Sequence, residues 1–229
     1  MKVMRLVCSS CGSSLRGLES DCVFVCSVCG TGWVTGENGL EQVEVEHRSQ
    51  ADSLLPLPFW KIRTTVHILR RTVRNEFTVS ILRYDSRYSP DAMPGKVRET
   101  PKSSDRRTLL FPAFYLNGLP GTGTMLSEKI DSLPPLLKPE DRFPVVCGCA
   151  ISPDDTESLA RCVAVGQETD KADWLAEIEL VLASVEKTLV ILPCKAQVEK
   201  VSIAETGVSF FRRNAPHWNR LMEFRSALS

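Results

Sequence analysis

Two Cys-x-x-Cys pairs lie near the start of the chain: Cys8 and Cys11, then fourteen residues, then Cys26 and Cys29. Nothing else in the 229 residues restricts the fold so tightly. A tetrahedral zinc site takes four ligands, with sulfur at about 2.3 Å. One Cys-x-x-Cys knuckle spans one edge of that tetrahedron, and a hairpin that brings two knuckles together completes it. The spacing therefore predicts a structural zinc site at Cys8, Cys11, Cys26 and Cys29. Gly12 and Gly30 each follow the second cysteine of a knuckle, where a positive φ is often needed and glycine adopts it at little cost. "DCVFVC" is β-branched and aromatic, as a short strand should be. Trp33 is placed to cover a module too small for a core of its own. In such a module metal binding, worth about 10 kcal/mol or more, is the folding energy.

Other readings of these cysteines compete less well. A thioredoxin-like redox pair opens a helix in a βαβ context, and "CGSSLRGLESD" provides none. Cys22 in place of Cys26 would break the second knuckle, so Cys22 reads as a strand residue beside the site. Iron also fits four thiolates, and zinc is preferred over it only on compartment and abundance. Residues 6–35 resemble the zinc-ribbon family, the rubredoxin-like knuckle pairs of transcription factors and many bacterial proteins. The resemblance implies a structural rather than catalytic metal. It extends no further along the chain.

Lys plus Arg and Asp plus Glu both number 28, so the net charge is zero and no global field draws the chain to nucleic acid or membrane. No apolar run approaches the ~20 residues of a membrane span. The N-terminal residues lack the apolar core and cleavage site of a signal peptide. Nine cysteines, an odd number, argue against a secreted disulfide framework. A cytoplasmic location is expected.

The fold expected is β-rich α+β: an N-terminal zinc ribbon over residues 1–47, then a mixed, mainly antiparallel β domain over 55–229 with one or two helices. "LEQVEVEH" alternates as a strand. "LPFW" (Leu57 to Trp60) reads as an opening turn. "KIRTTVHIL" and "EFTVSILRY" read as strands joined by a turn at "RRTVRN". Residues 85–107, rich in Pro, Ser, Gly and charge, read as a flexible exposed loop. "TMLSEKIDSL" suits a short helix stopped by Pro134, and "FPVVCGCAI" a buried strand. Ser152 and Pro153 suit a helix start. Residues 174–187 fit a helix or a strand. A closing hairpin is expected about Glu205-Thr206-Gly207.

Few residues suggest further chemistry. "NGLPGTGTM" has the glycines of a phosphate loop but lacks its lysine, and reads as a flexible turn. Cys147 and Cys149 share a strand face and form a weak candidate for a second metal; buried thiols are the simpler reading. His47, His67 and His217 are scattered, no nucleophile stands beside them, and no catalytic motif occurs. No small-molecule substrate is indicated. The expectation is a non-enzymatic zinc-binding adaptor acting through protein partners in a larger assembly, with Trp33, Phe59, Trp60 and Phe114 as candidate anchors. The alternative is a nucleic-acid binder. It rests on the basic region 61–107, whose Arg63, Arg70, Arg71, Arg74, Arg83 and Arg87 would grip phosphates.

Overall fold

The computed structural model describes residues 6–36, 39–48, 54–74, 97–137, 143–146, 148–171 and 173–226. Two antiparallel systems make up most of it. The first is a small sheet of β1 (Val23–Val25), β2 (Gly32–Gly36) and β3 (Gly39–Val43), in that order. The second is built on two very long strands, β5 (Leu55–Arg74) and β8 (Trp174–Ala196), paired antiparallel along almost their whole length. β7 (Ser103–Pro112) and β6 (Val97–Glu99) continue the sheet beyond β5. β4 (Val45–His47) and β9 (Lys200–Ile203) join the far side of β8, and β10 (Ser209–Phe211) pairs with β9. Three α-helices are present among the described residues: α1 (Leu119–Ser127), α2 (Thr156–Thr169) and α3 (Trp218–Ser226). The β-rich α+β class is as the sequence predicts.

Apolar alternation explains the centre of the sheet. Ile62, Val66 and Ile68 of β5 are buried, while Arg63 between them is exposed. Leu189, Val190, Ile191 and Leu192 form a continuous buried run where β8 is covered on both faces. Residues 174–187, which fit two periods, are strand. Their register is set by β5 across 11 of the ladder's 18 paired positions, so a long-range ladder decides for strand over helix.

Several expectations need correction. "LPFW" lies inside β5, and Phe59 and Trp60 are fully buried. "RRTVRN" does not turn, at least to Arg74. The strand runs on through register shifts at Ile68/Arg70 and Thr72/Val73, and such bulges hide strand period from sequence. "EFTVSILRY", with Arg83, lies outside the described residues, as do Arg87 and the first part of the expected loop. The latter part of that loop is strand: β6 and the start of β7 are highly polar, and pairing with β5 holds them extended. "LEQVEVEH" divides at Glu44, giving β3 to the small sheet and β4 to the large one. Residues 143–146 and 148–151 form no ladder, and Gly148 has φ +86 there. The glycine-rich "NGLPGTGTM" is the first part of α1, capped by Gly118, so it is no flexible turn. Gly123 and Gly166 let α1 approach α2: a Cβ on Gly123 would stand 2.6 Å from Val163. α2 begins at Thr156, after a turn in which the Ser152 hydroxyl accepts the Asp155 amide at 3.3 Å. The closing hairpin is found, with positive φ at Glu205 and Gly207.

A buried ionic cluster pins α2 to the sheet. Glu168 is fully buried, with Arg107 Nη2 at 2.8 Å, Arg71 Nε at 2.9 Å and Lys171 Nζ at 2.6 Å. Arg71 also donates twice to Asp173, at 2.6 and 2.7 Å.

Candidate metal centre

The two knuckles fold alike. The Gly12 amide donates to the Cys8 carbonyl at 2.8 Å, and the Gly30 amide to the Cys26 carbonyl at 2.8 Å. Cys8 N–H bonds to Ser13 at 2.8 Å and Cys26 N–H to Thr31 at 2.9 Å. Gly12 and Gly30 have φ +76 and +73, as the sequence predicts. β1 and β2 form the hairpin that supports the second knuckle.

This repetition brings four sulfurs together. The Sγ atoms of Cys8, Cys11, Cys26 and Cys29 all lie within 4.8 Å of one another. Cys8 to Cys29 is 3.5 Å and Cys11 to Cys26 is 3.6 Å. The edge of a tetrahedron with 2.3 Å bonds is about 3.8 Å, so the cluster fits a four-coordinate ion held wholly by sulfur. Such a donor set suits zinc or iron.

The surroundings differ between the two knuckles. Cys8 and Cys26 are buried and Cys11 is exposed. Burial opposes a charge on Cys8. The amides of Cys11 and Ser10, with hydrogen bonds from Cys29 and Trp33, outweigh it and bring the thiol down to about 6. The Cys11 thiol is lowered by hydrogen bonds from the side chain and backbone of Ser13. Burial pushes Cys26 up to about 12. The centre thus eases ionisation of Cys8 and Cys11, and a cation is what would draw Cys26 into the anionic form. Trp33 is buried over the cluster and donates its indole N–H to Cys8 Sγ at 3.3 Å. With Cys8, Leu15, Phe24 and Cys26 it forms a small core of its own.

Three residues that sequence reasoning passed over fasten the knuckles to the rest of the chain. His47 Nε2 donates to the Gly30 carbonyl at 2.9 Å. Burial keeps that ring below the usual histidine range, consistent with a neutral ring. The Phe143 ring lies against His47, centroids 4.7 Å apart, and directly over Gly30. Asp21 Oδ2 accepts the amides of Leu18 at 2.8 Å and Gly148 at 3.0 Å. A lone histidine at a strand end and a single aspartate carry no pattern that would have announced these roles.

Cys22 is not a ligand. Its thiol donates to the Cys149 carbonyl at 3.3 Å, and burial pushes it up to about 11. Cys149 and Cys194 are buried thiols. Cys147 lies outside the described residues, and among those described no second metal-binding group of cysteines occurs. Trp33, Phe59, Trp60 and Phe114 are all buried, so none is a surface anchor.

No family model, curated protein or solved structure matches the chain.

Several cations of the basic region face carboxylates where they are described. Arg71 is consumed by the Glu168 cluster. Arg70 pairs with Glu177 at 3.2 Å, and Arg63 faces Glu186 at 3.9 Å, both across β8. Arg74 ends β5 and is half-buried. No helix among the described residues is long and apolar enough to cross a membrane.

Gly30→Ala is expected to lower stability by about 1–3 kcal/mol. The new Cβ would sit 2.6 Å from the Phe143 ring as well as at positive φ. Gly12→Ala, where nothing lies within 4 Å, carries only the backbone cost, about 1 kcal/mol. Urea unfolding of the two variants measures the difference.

Proposed function

We propose that this is a non-enzymatic zinc-stapled adaptor, which holds a protein partner rather than transforming a substrate. The observation that carries the reading is the all-sulfur cluster. Four thiolates fill a tetrahedral sphere and leave no position for water or substrate, the arrangement of a structural rather than a catalytic ion. Bound there, the ion supplies cross-linking, and Trp33, His47 and Phe143 orient the knuckles that hold it. The exposed end of the knuckles offers Cys11 and Val28 to a partner, with Val28 63 % exposed.

Purification from the native source under gentle conditions tests this. Elemental analysis should give one zinc per chain, and a protein should co-purify in fixed ratio. V28E should lose that protein while keeping its zinc. A chain that carries zinc yet isolates alone, with no companion in crosslinked extracts, would overturn the adaptor reading.

A further inference from the structure

Among the described residues β8 is paired along nearly the whole of one side and only partly along the other. β5 covers one side from Trp174 to Cys194. On the other side β4 pairs with Leu189–Ile191 and β9 with Cys194–Ala196. Among the described residues nothing pairs with that side over residues 174–188. A strand edge of this length presents a row of open backbone donors and acceptors, a template for another strand.

The edge is interrupted at both ends. Ser184, at φ +54, and Val185 together oppose Thr64 alone, and Ala176 is likewise an extra residue. Between these bulges β8 carries no inserted residue over "EIELVLA", residues 177–183. Its two faces differ. Ile178, Leu180 and Leu182 pack against the core, whereas Glu177, Glu179 and Val181 are exposed on the opposite face.

We propose that two copies of the chain associate about a two-fold axis by antiparallel pairing of residues 177–183, which joins their sheets into one. In antiparallel pairing, residues that oppose each other share a face. An axis beside Leu180 uses the whole bulge-free segment. Leu180 then opposes its own copy, Ile178 opposes Leu182, Glu179 opposes Val181 and Glu177 opposes Ala183. Apolar residues meet on the core face, and no carboxylate meets another. The neighbouring registers are worse. An axis at Glu179 sets that carboxylate against itself, an axis at Ile178 sets Glu177 against Glu179, and an axis beyond Leu180 runs into the Ser184 bulge. Like charges placed directly opposite destabilise a pair of strands. The charge of Glu177 is already met by Arg70 within its own chain. This self-complementarity selects a second copy over an unrelated strand, and the inference does not depend on the adaptor reading.

Sedimentation velocity of the full zinc-loaded chain over a range of concentrations tests it, with metal content and thermal unfolding as controls on folding. Wild type should show a reversible monomer–dimer equilibrium. V181E places two new carboxylate pairs across the axis and should weaken the dimer about tenfold. V181K sets an ammonium opposite Glu179 and should retain it. V181E/E179K should restore it. A chain that stays monomeric throughout, including one that binds only foreign strands, overturns the proposal. A dimer whose constant is the same in V181E and V181K overturns it too.

Discussion

Replacing Cys26 with serine is expected to release the metal and to unfold residues 6–36 together with the contacts they make on the large sheet. Cys26 is buried and its thiol resists ionisation without a cation, so three remaining sulfurs leave the knuckle pair open. Structural zinc contributes on the order of 10 kcal/mol to a module of this kind. The loss should spread beyond the knuckles. Val23 and Val25 belong to the main core, Asp21 bonds to Gly148, and the Cys149 carbonyl accepts the amide of Cys22. Hydrogen exchange with mass spectrometry checks this, and a strong chelator on the wild type should reproduce it. Fast exchange should appear at Gly12 and Gly30, and at the Leu189 amide that donates to Glu44. Full protection of the knuckle amides in a metal-free C26S protein would show that the sulfurs are not what holds them.

Glu168→Ala should be the next most damaging change. It removes the one carboxylate that meets Arg71 and Arg107 within the packed interior, where both guanidiniums are nearly buried. Breaking a buried ionic group by deleting one partner costs about 3–5 kcal/mol, and the loss should fall toward the lower end because Asp173 still holds Arg71 and Asp105 still holds Arg107. Arg107→Ala should cost less, since Arg107 also pairs with the half-exposed Asp105 and its loss leaves Glu168 with two cations. Urea unfolding at neutral pH measures both. The pH dependence supplies a second signature. Burial opposes the charge on Glu168, but Lys171 and Arg107 outweigh it and hold the carboxyl below its usual range. A lowered folded-state value means that its stabilisation is complete above the ordinary glutamate range, about 4.3. It is lost as pH falls from there through the folded-state value. Wild type should therefore lose stability in acid along a slope that Glu168→Ala lacks.

The metal centre was legible because its chemistry is local. Four cysteines at fixed spacing, each knuckle closed by a glycine, specify a site almost without reference to the rest of the chain. The large sheet was legible only in part. Regular alternation gives the strand character of residues 61–69, but the bulge near Leu69 breaks the period just before the residues that read as a turn, and the bulge at Ala176 lies where the sequence fits a helix as well as a strand. The polar start of β7 is extended only because β5 holds it, and no local preference records that. Arg71 shows the same limit. Its sequence neighbours mark it as one of a basic run, but its partners Glu168 and Asp173 stand about a hundred residues away. His47 reads as an isolated histidine until β4 brings it beneath Gly30.

The pairing of β5 with β8 bears on how the chain reaches this state. Leu55 meets Cys194 and Arg74 meets Trp174, so the central ladder joins partners 139 to 100 positions apart. Closing loops of that size must precede most of the compensating contacts, and topologies dominated by remote pairing form slowly. A ribosome delivers the cysteine knuckles and β5 long before β8. For that interval the edge of β5 that will meet β8 has no permanent neighbour, while the sulfur cluster already has every atom it needs to capture its ion.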